Sequence, residues 1–425
     1  MTKSYSFPST KFLNKQTPPH IFTITLLGAL GALNMNIILP SLPAMASYFQ
    51  VEYSLMQLAL SAYLAMTAIL QLIISPLSDR YGRRPIILMS FVLFIIASLV
   101  SALATSFEVY LISRLLQGAI VTGYALSRAI IRDMVPMNEA ASMIGYVTMG
   151  MVLVPMVGPS IGGFLQEAYG WQSIHYFTTL LGALAFIILW FDLGETNKQR
   201  TTSLTAQFKE YPELLTSRRF WGYTLTALFT SGSFFAYLGG VPLLGEGYFY
   251  LTPSRLGIFL ASIAIGYCLG NMLSGIYTTK LGNQKMMLAG TTLSTLAITI
   301  DLLVMMFYEH KSPILFFAPI IVVGLGHGLS MPSSVSGTVS VRPNLAGSAA
   351  GLSGALLVGG GAALSVLAGV LLTQNLSPIP LLVLMLISAI LSIFAAIYTS
   401  NIENSVAKSA VEEERKNSNT SKVTN

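Results

Sequence analysis

Long apolar runs alternate with short polar turns along almost the whole chain. Twelve runs predict membrane-crossing helices, over residues 20–39, 55–74, 86–105, 107–125, 140–164, 171–191, 220–240, 255–276, 286–308, 313–335, 345–373 and 378–399. A helix needs about 20 residues at about 1.5 Å each to cross the apolar core of a bilayer. The pattern predicts an all-α polytopic membrane protein. Polar stretches divide it into an N-terminal tail (1–19), six spans (20–191), a central loop (192–219), six more spans (220–399) and a C-terminal tail (400–425) expected to be disordered. Pro40 and Pro43 are expected to break the first span.

The loop between spans 2 and 3 reads SPLSDRYGRRP over residues 75–85 and places Asp79, Arg80, Arg83 and Arg84 within a tight turn. So basic a turn belongs on the cytoplasmic side. Gly82 supplies a permissive backbone position, and Pro85 can open the next helix without wasting a donor. With the N-terminus inside, the outer loops hold only Lys311, with Arg255 at an outer helix end. Nearly all the rest of the 23 Lys and Arg then fall in inner loops, tails or inner helix ends, Arg114 excepted. Both termini are therefore expected to be cytoplasmic. Trp171 and Trp221 fall at opposite predicted interfaces and suit an aromatic belt.

An echo links the halves. SDRYGRRP at 78–85 is matched by TTKLGNQK at 278–285, so that Arg80 and Gly82 correspond to Lys280 and Gly282. Asp79 becomes Thr279, and the acid is lost. Two six-span halves around a midplane site is the plan of transporters that alternate access by rocking.

Composition agrees: 53% of residues are hydrophobic and 9% charged, against about 25% charged in soluble domains. The net charge of +6 lies mostly in loops on one side of a membrane, and no nucleic-acid partner is implied. The single Cys268 allows no disulfide framework. No phosphate-cradling loop, nucleophile–base constellation or metal-ligand spacing is readable, so neither an enzyme nor a cofactor is expected. Energy, if any, is then expected from an ion gradient, with the bilayer and a small-molecule substrate as partners, and twelve spans can transport as a monomer.

Polar side chains inside spans are the candidate site. Arg114 and Gln117, three residues apart, share a face of span 4. Arg114 either relays protonation or anchors neighbouring carbonyls. Asp301, towards the outer end of span 9, either carries a proton or sits hydrated at the interface. His327 in span 10 either fills space or touches substrate. Asn34 and Asn36 face differently on span 1, and either could line a cavity, Asn36 being the one named with Tyr124 as a candidate. Tyr63, Tyr146, Phe234, Phe235 and Tyr237 are further aromatic candidates for an apolar pocket. In span 5, Gly145, Gly158, Gly162 and Gly163 allow close helix approach, while Pro155 and Pro159 favour kinks.

These residues resemble the major facilitator superfamily. Asp79-Arg80-x-Gly82-Arg83-Arg84 is similar to its loop 2–3 signature, although Ser75 stands where that signature opens with Gly. The resemblance implies an inner-gate latch there. Arg114-x-x-Gln117-Gly118 is similar to the span 4 motif associated with proton coupling. Gly158-Pro159-x-x-Gly162-Gly163 resembles the antiporter motif of span 5, with Gly145 fitting upstream and Val154 replacing a usual Gly. LPSLP (39–43), PLSDRYGRRP (76–85) and SRAIIRDMVP (127–136) narrow the resemblance to the Bcr/CflA group of drug:proton antiporters. It implies twelve helices in two halves, a bacterial inner-membrane location and export of small, mostly apolar compounds against protons. Many such exporters carry a carboxylate in span 1; Asn36 occupies that neighbourhood. Coupling therefore falls to no single acid: either it uses another group, with Arg114 and Asp301 the candidates, or it is altered. The rival readings are a transporter of a specific metabolite with a different ion coupling and a non-transporting membrane receptor or scaffold.

Overall fold

The computed structural model describes residues 10–134, 157–197, 211–307, 312–342 and 345–423, with 143, 147 and 154 in between. The helices are α1 (Ile21–Asn36), α2 (Leu42–Phe49), α3 (Tyr53–Met56), α4 (Leu58–Tyr81), α5 (Arg83–Leu103), α6 (Phe107–Gln117) and α7 (Val121–Met134). Then come α8 (157–169), α9 (Gln172–Asp192), α10 (211–215) and α11 (Arg218–Gly247). The remaining helices are α12 (Pro253–Leu260), α13 (Ser262–Leu281), α14 (Asn283–Phe307), α15 (Pro313–Ser340), α16 (Ala346–Gln374) and α17 (Pro378–Val423), the last running on as helix through the tail expected to be disordered.

Among the described residues, eleven helical stretches are long and apolar enough to cross a membrane. Most of the expected fifth span, Gly145 and Pro155 included, lies outside the described residues. Some expected spans are joined pairs of helices. The first continues past residue 39: α1 stops at Asn36, Leu39–Ser41 forms a 3-10 turn around Pro40, and α2 carries the same apolar stretch to Phe49. Ile37, Ile38 and Leu39 are fully buried at this break, so the proline bends the span without ending it. Span 4 breaks at a 3-10 turn, Gly118–Ile120, directly after Arg114 and Gln117. Span 8 breaks between α12 and α13 at Ala261.

Geometry repeats at a spacing of 200 residues. Gly82 has φ 102° and its N–H donates to the Ser78 carbonyl at 3.0 Å; Gly282 has φ 82° and donates to Thr278 at 2.8 Å. Both close a helix in the left-handed half of backbone space, where glycine is free of strain. Gln50 (φ 53°) and Tyr250 (φ 54°) make the same left-handed turn at the opposite end. The edge-on pair Tyr48–Phe49, 5.0 Å apart, is repeated as Tyr248–Phe249 at 4.9 Å. Phe49 then packs on Tyr110, and Phe249 on Phe316, each at 5.4 Å.

Trp171 corrects the aromatic-belt expectation. It is 4% exposed and packs on Phe49, Tyr110 and His175, closing the first half beneath Tyr48.

Candidate functional site

Span 4 carries the densest polar cluster of the first half. α6 and α4 bring Arg114 and Tyr63 together, with the guanidinium 4.7 Å from the ring centre. Arg114 is fully buried. It donates through Nη1 to Gln117 Oε1 and through Nη2 to the Asn34 carbonyl at 3.5 Å. Asn34 Nδ2 donates to the same Gln117 oxygen at 3.2 Å. Gln117 Nε2 donates to Ser101 at 2.7 Å, and Ser101 meets the Ser113 hydroxyl at 2.6 Å. The Tyr63 hydroxyl donates to the Gly31 carbonyl at 3.0 Å. Three spans thus hold one cation. Arg114 Nε and Asn34 Oδ1 have no hydrogen-bond partner, and among the described residues no carboxylate pairs with Arg114. A buried charge in that condition is costly and marks a group kept for function.

Asn34, not Asn36, joins this cluster. Asn36 Nδ2 donates back to the Ala32 carbonyl at 2.8 Å, and its Cβ faces Gly158. Residues two apart on a helix point about 200° apart, so only one of the pair can face Arg114. Ser101 and Ser113 are not singled out by sequence, and Asn34 is marked there only as one of a pair either of which could line a cavity. Ser113 directly precedes Arg114 on α6, while Asn34 and Ser101 come from α1 and α5, and nothing local ties those two to Arg114.

The loop between α4 and α5 forms a second cluster. Arg83 is 8% exposed and pairs with Asp79 at 2.5 Å and with Asp133, at the end of α7, at 3.3 Å. Glu195 Oε1 accepts the Arg83 backbone N–H at 2.9 Å, capping α5, and its side chain lies where a Gly82 Cβ would go. Thr196 donates to Asp133 at 3.1 Å and Asn197 to the Asp79 carbonyl at 3.0 Å. Arg84 lies over Trp190 and donates to its carbonyl at 3.0 Å. Arg80 lies over its neighbour Tyr81, away from the Asp79–Arg83 pair. The acids Asp133 and Glu195, distant in sequence, complete what four loop residues begin.

At the end opposite this loop the two halves meet. The Tyr53 hydroxyl donates to the Gly239 carbonyl at 3.0 Å, and Gln57 Nε2 to Ser365 at 3.3 Å. A Cβ on Gly163 would strike the Pro253 carbonyl, and one on Gly257 the Pro159 carbonyl. The Ser254 N–H donates to Glu167 at 3.2 Å. Ser254 hydrogen bonds hold the Glu167 carboxyl below the usual carboxylate range. Contact between halves continues along α4 and α16 to Gln71 against Gly354. A cavity of about 600 Å³ lies in this seam, lined by Glu52, Tyr53, Leu243, Val370, Thr373 and Gln374, away from the Arg114 cluster.

Gly158 and Gly162 serve a different contact. They face α1 within the first half, Gly162 directly against the Ile37 carbonyl. The remaining candidates stand apart. Tyr124, 36% exposed, accepts from Arg128 at 2.7 Å. His327 Nε2 meets the Ser233 hydroxyl at 3.0 Å. Asp301 is fully buried, with neither carboxyl oxygen partnered among the described residues. The interface location that would keep it hydrated is therefore not what the fold provides.

A buried polar cluster within membrane-length helices, and a glycine-lined seam between repeated halves, is the construction of a multi-pass membrane transporter. The chain belongs to the Major Facilitator Superfamily, whose sequence model matches residues 24–364 and again 246–423. It is 28% identical over 380 residues to the uncharacterised MFS-type transporter YdgK of Bacillus subtilis, covering 88% of this chain and 93% of that one. It is 31% identical over 317 residues to a chloramphenicol resistance protein of Pseudomonas aeruginosa, covering 74% and 73%. In fold it is similar to a bacterial homologue of the human lysosomal transporter Spinster, solved in an inward-facing, occupied conformation. That likeness has a TM-score of 0.69 at 17% identity, over 90% of this chain and 96% of that one.

Proposed function

We propose that this protein exports small, mostly apolar compounds from the bacterial cytoplasm across the inner membrane in exchange for protons, as a monomer with both termini inside. The two six-helix halves, 20–191 and 220–399, rock about the site between them. One observation carries the cycle: glycine-to-carbonyl contacts and the Tyr53 and Gln57 hydrogen bonds close the halves at the end opposite the basic loop. With the basic loop cytoplasmic, that closure is the outer gate of a state open for loading from inside. The Pseudomonas relative's chloramphenicol resistance supports drug-like cargo. Arg114 is the buried cation placed to respond to charge in the site, and Asp301 is the buried acid available to hold a proton.

The Asp79–Arg83–Asp133 cluster acts as the inner latch. Asp79→Asn or Arg83→Ala at equal protein level is expected to lower efflux on the order of tenfold, about 1.4 kcal/mol of lost differential stabilisation. Undiminished efflux in both would remove the latch.

The antiport is tested with purified protein in sealed vesicles under an imposed pH gradient, following internal pH while phenicols, bicyclic antibiotics and dyes are added. Substrate-dependent, reversible loss of the gradient is expected. Substrate movement without proton movement would discard the coupling and keep the transporter.

A further inference from the structure

Asp301 has a second connection, to the outer gate. Its carboxyl is fully buried on α14 without a hydrogen-bond partner among the described residues. A bare buried carboxylate would be very costly, so the fold as it stands suits the neutral acid. The position answers, at the 200-residue spacing, to Ser101, which serves the Arg114 cluster. In the second half that helical position holds an acid instead.

Tyr237 of α11 is the neighbour that matters. It is fully buried, and its ring lies 6.5 Å from that of Phe317, in the α15 turn against which the Ser294–Val323 register sets Asp301. The hydroxyl donates to the Phe259 carbonyl at 3.4 Å. That carbonyl belongs to the last turn of α12, where the break at Ala261 interrupts the helical ladder. α12 is the element of the second half that forms the seam: its Pro253, Ser254 and Gly257 meet Gly163, Glu167 and Pro159. One hydroxyl therefore stands between a partnerless acid and the helix that closes the outer gate.

We propose that Asp301 is a proton-binding site that works the outer gate through Tyr237 and α12. With the proton on Asp301, the Tyr237 hydroxyl donates to Phe259 and braces α12 against the first half. When the carboxyl O–H breaks, the electron pair stays on the carboxylate and the proton passes to water. The carboxylate then takes the Tyr237 hydroxyl as its donor, a stronger, charge-assisted bond. The Phe259 carbonyl loses its brace, and α12 moves away from Gly163 and Pro159. Asp301 lies six residues from the outer end of α14, about 9 Å along the helix, so the outer solution supplies the proton.

Other groups around the acid do not compete. The register set by Ser294 donating to the Val323 carbonyl places Asp301 beside the Phe316–Ile320 turn of α15, which is apolar. His327 is engaged with Ser233, and Glu403 of α17 is held by Arg219. Arg255 of α12 lies on the exposed outer side with Glu167. Glu167 loses its grip on Ser254 only as pH falls through its lowered value. Over the neutral to alkaline range Glu167 keeps Ser254, so a response of the seam to rising pH falls to Asp301.

The test is a spin-label distance between Tyr169→Cys and Ile258→Cys, both at exposed positions, in a Cys268→Ser background reconstituted in vesicles. The wild-type distance is expected to lengthen as pH rises over that range. Asp301→Asn is expected to stay short at every pH, and Tyr237→Phe to lose the short distance even at low pH. Opposite effects from two neighbours separate a switch from mere packing. A pH-independent wild-type distance, wild-type-like opening in Asp301→Asn, or the same direction in both variants would each overturn the proposal. The proposal rests on the outer orientation of this seam and not on antiport. If the distance responds while substrate-dependent proton flux is absent, proton exchange fails and the gate stands.

Discussion

Arg114→Met is expected to unfold at a higher temperature than the wild type while exporting substrate at least about tenfold more slowly. The stability half follows from the cation's surroundings. Arg114 is fully buried, with Nε unpartnered and no carboxylate paired to it among the described residues. Burying a charge costs several kcal/mol. The Tyr63 ring returns about 2 kcal/mol in a desolvated setting, and the Gln117 and Asn34 bonds somewhat more. A thioether of similar length removes the penalty, and Gln117 Oε1 keeps a donor in Asn34 Nδ2. The transport half follows from what is lost, a charge tying α1, α4 and α6 into one unit. Arg114→Lys keeps the charge without the planar fork and is expected to restore only a minor part of the rate. Lower stability with full efflux would make Arg114 a structural anchor.

Gly163→Ala and Gly162→Ala are adjacent single-methyl changes with different expected outcomes. At Gly163 the methyl lands on the Pro253 carbonyl of the other half; at Gly162 it lands on the Ile37 carbonyl of the same half. Halves can separate where they meet, so Gly163→Ala should fold normally and be biased towards the state with this end open. Efflux should fall on the order of tenfold, with labels across the outer end reporting the longer distance. Within a packed half nothing can move aside cheaply. Gly162→Ala should therefore lose about 1–3 kcal/mol, read as a lower unfolding temperature and less folded protein. Equal thermal losses in both variants would mean that the Gly163 contact is as permanent as the Gly162 one.

The legible parts of the site were those contained in one turn of helix or one loop. Arg114 and Gln117 share a face by spacing alone, and Asp79 and Arg83 pair across four residues. Asp133, Glu195, Asn34 and Ser101 join these groups from other helices, and no local pattern announces them. The internal repeat shows the same limit. The turn around Gly82 and Gly282 was the echo read from sequence. The turn at Gln50 and Tyr250 has the same left-handed backbone with unlike side chains. The Tyr-Phe pairs at 48–49 and 248–249 are identical at that spacing, but two residues are too short an echo to be read until their matching edge-on packing is seen. Trp171 was misassigned because an interfacial tryptophan and one capping a half share a place in sequence, and only its neighbours differ.

The sequence by itself determined the solvent of this protein. Apolar runs of membrane length admit only structures that satisfy their own backbone groups, and here those are helices. Its basic loops set the expected orientation, and its glycines marked where helices approach closely. Only the tertiary structure decided which contacts each glycine makes, Gly162 inside one half and Gly163 across two. It also decided that Asn34 and not Asn36 faces Arg114, and that Asp301 is buried with neither carboxyl oxygen partnered among the described residues. Helical periodicity tells which residues share a face of their own helix. Which neighbour that face meets depends on helix rotation and tilt, set by packing along the whole bundle.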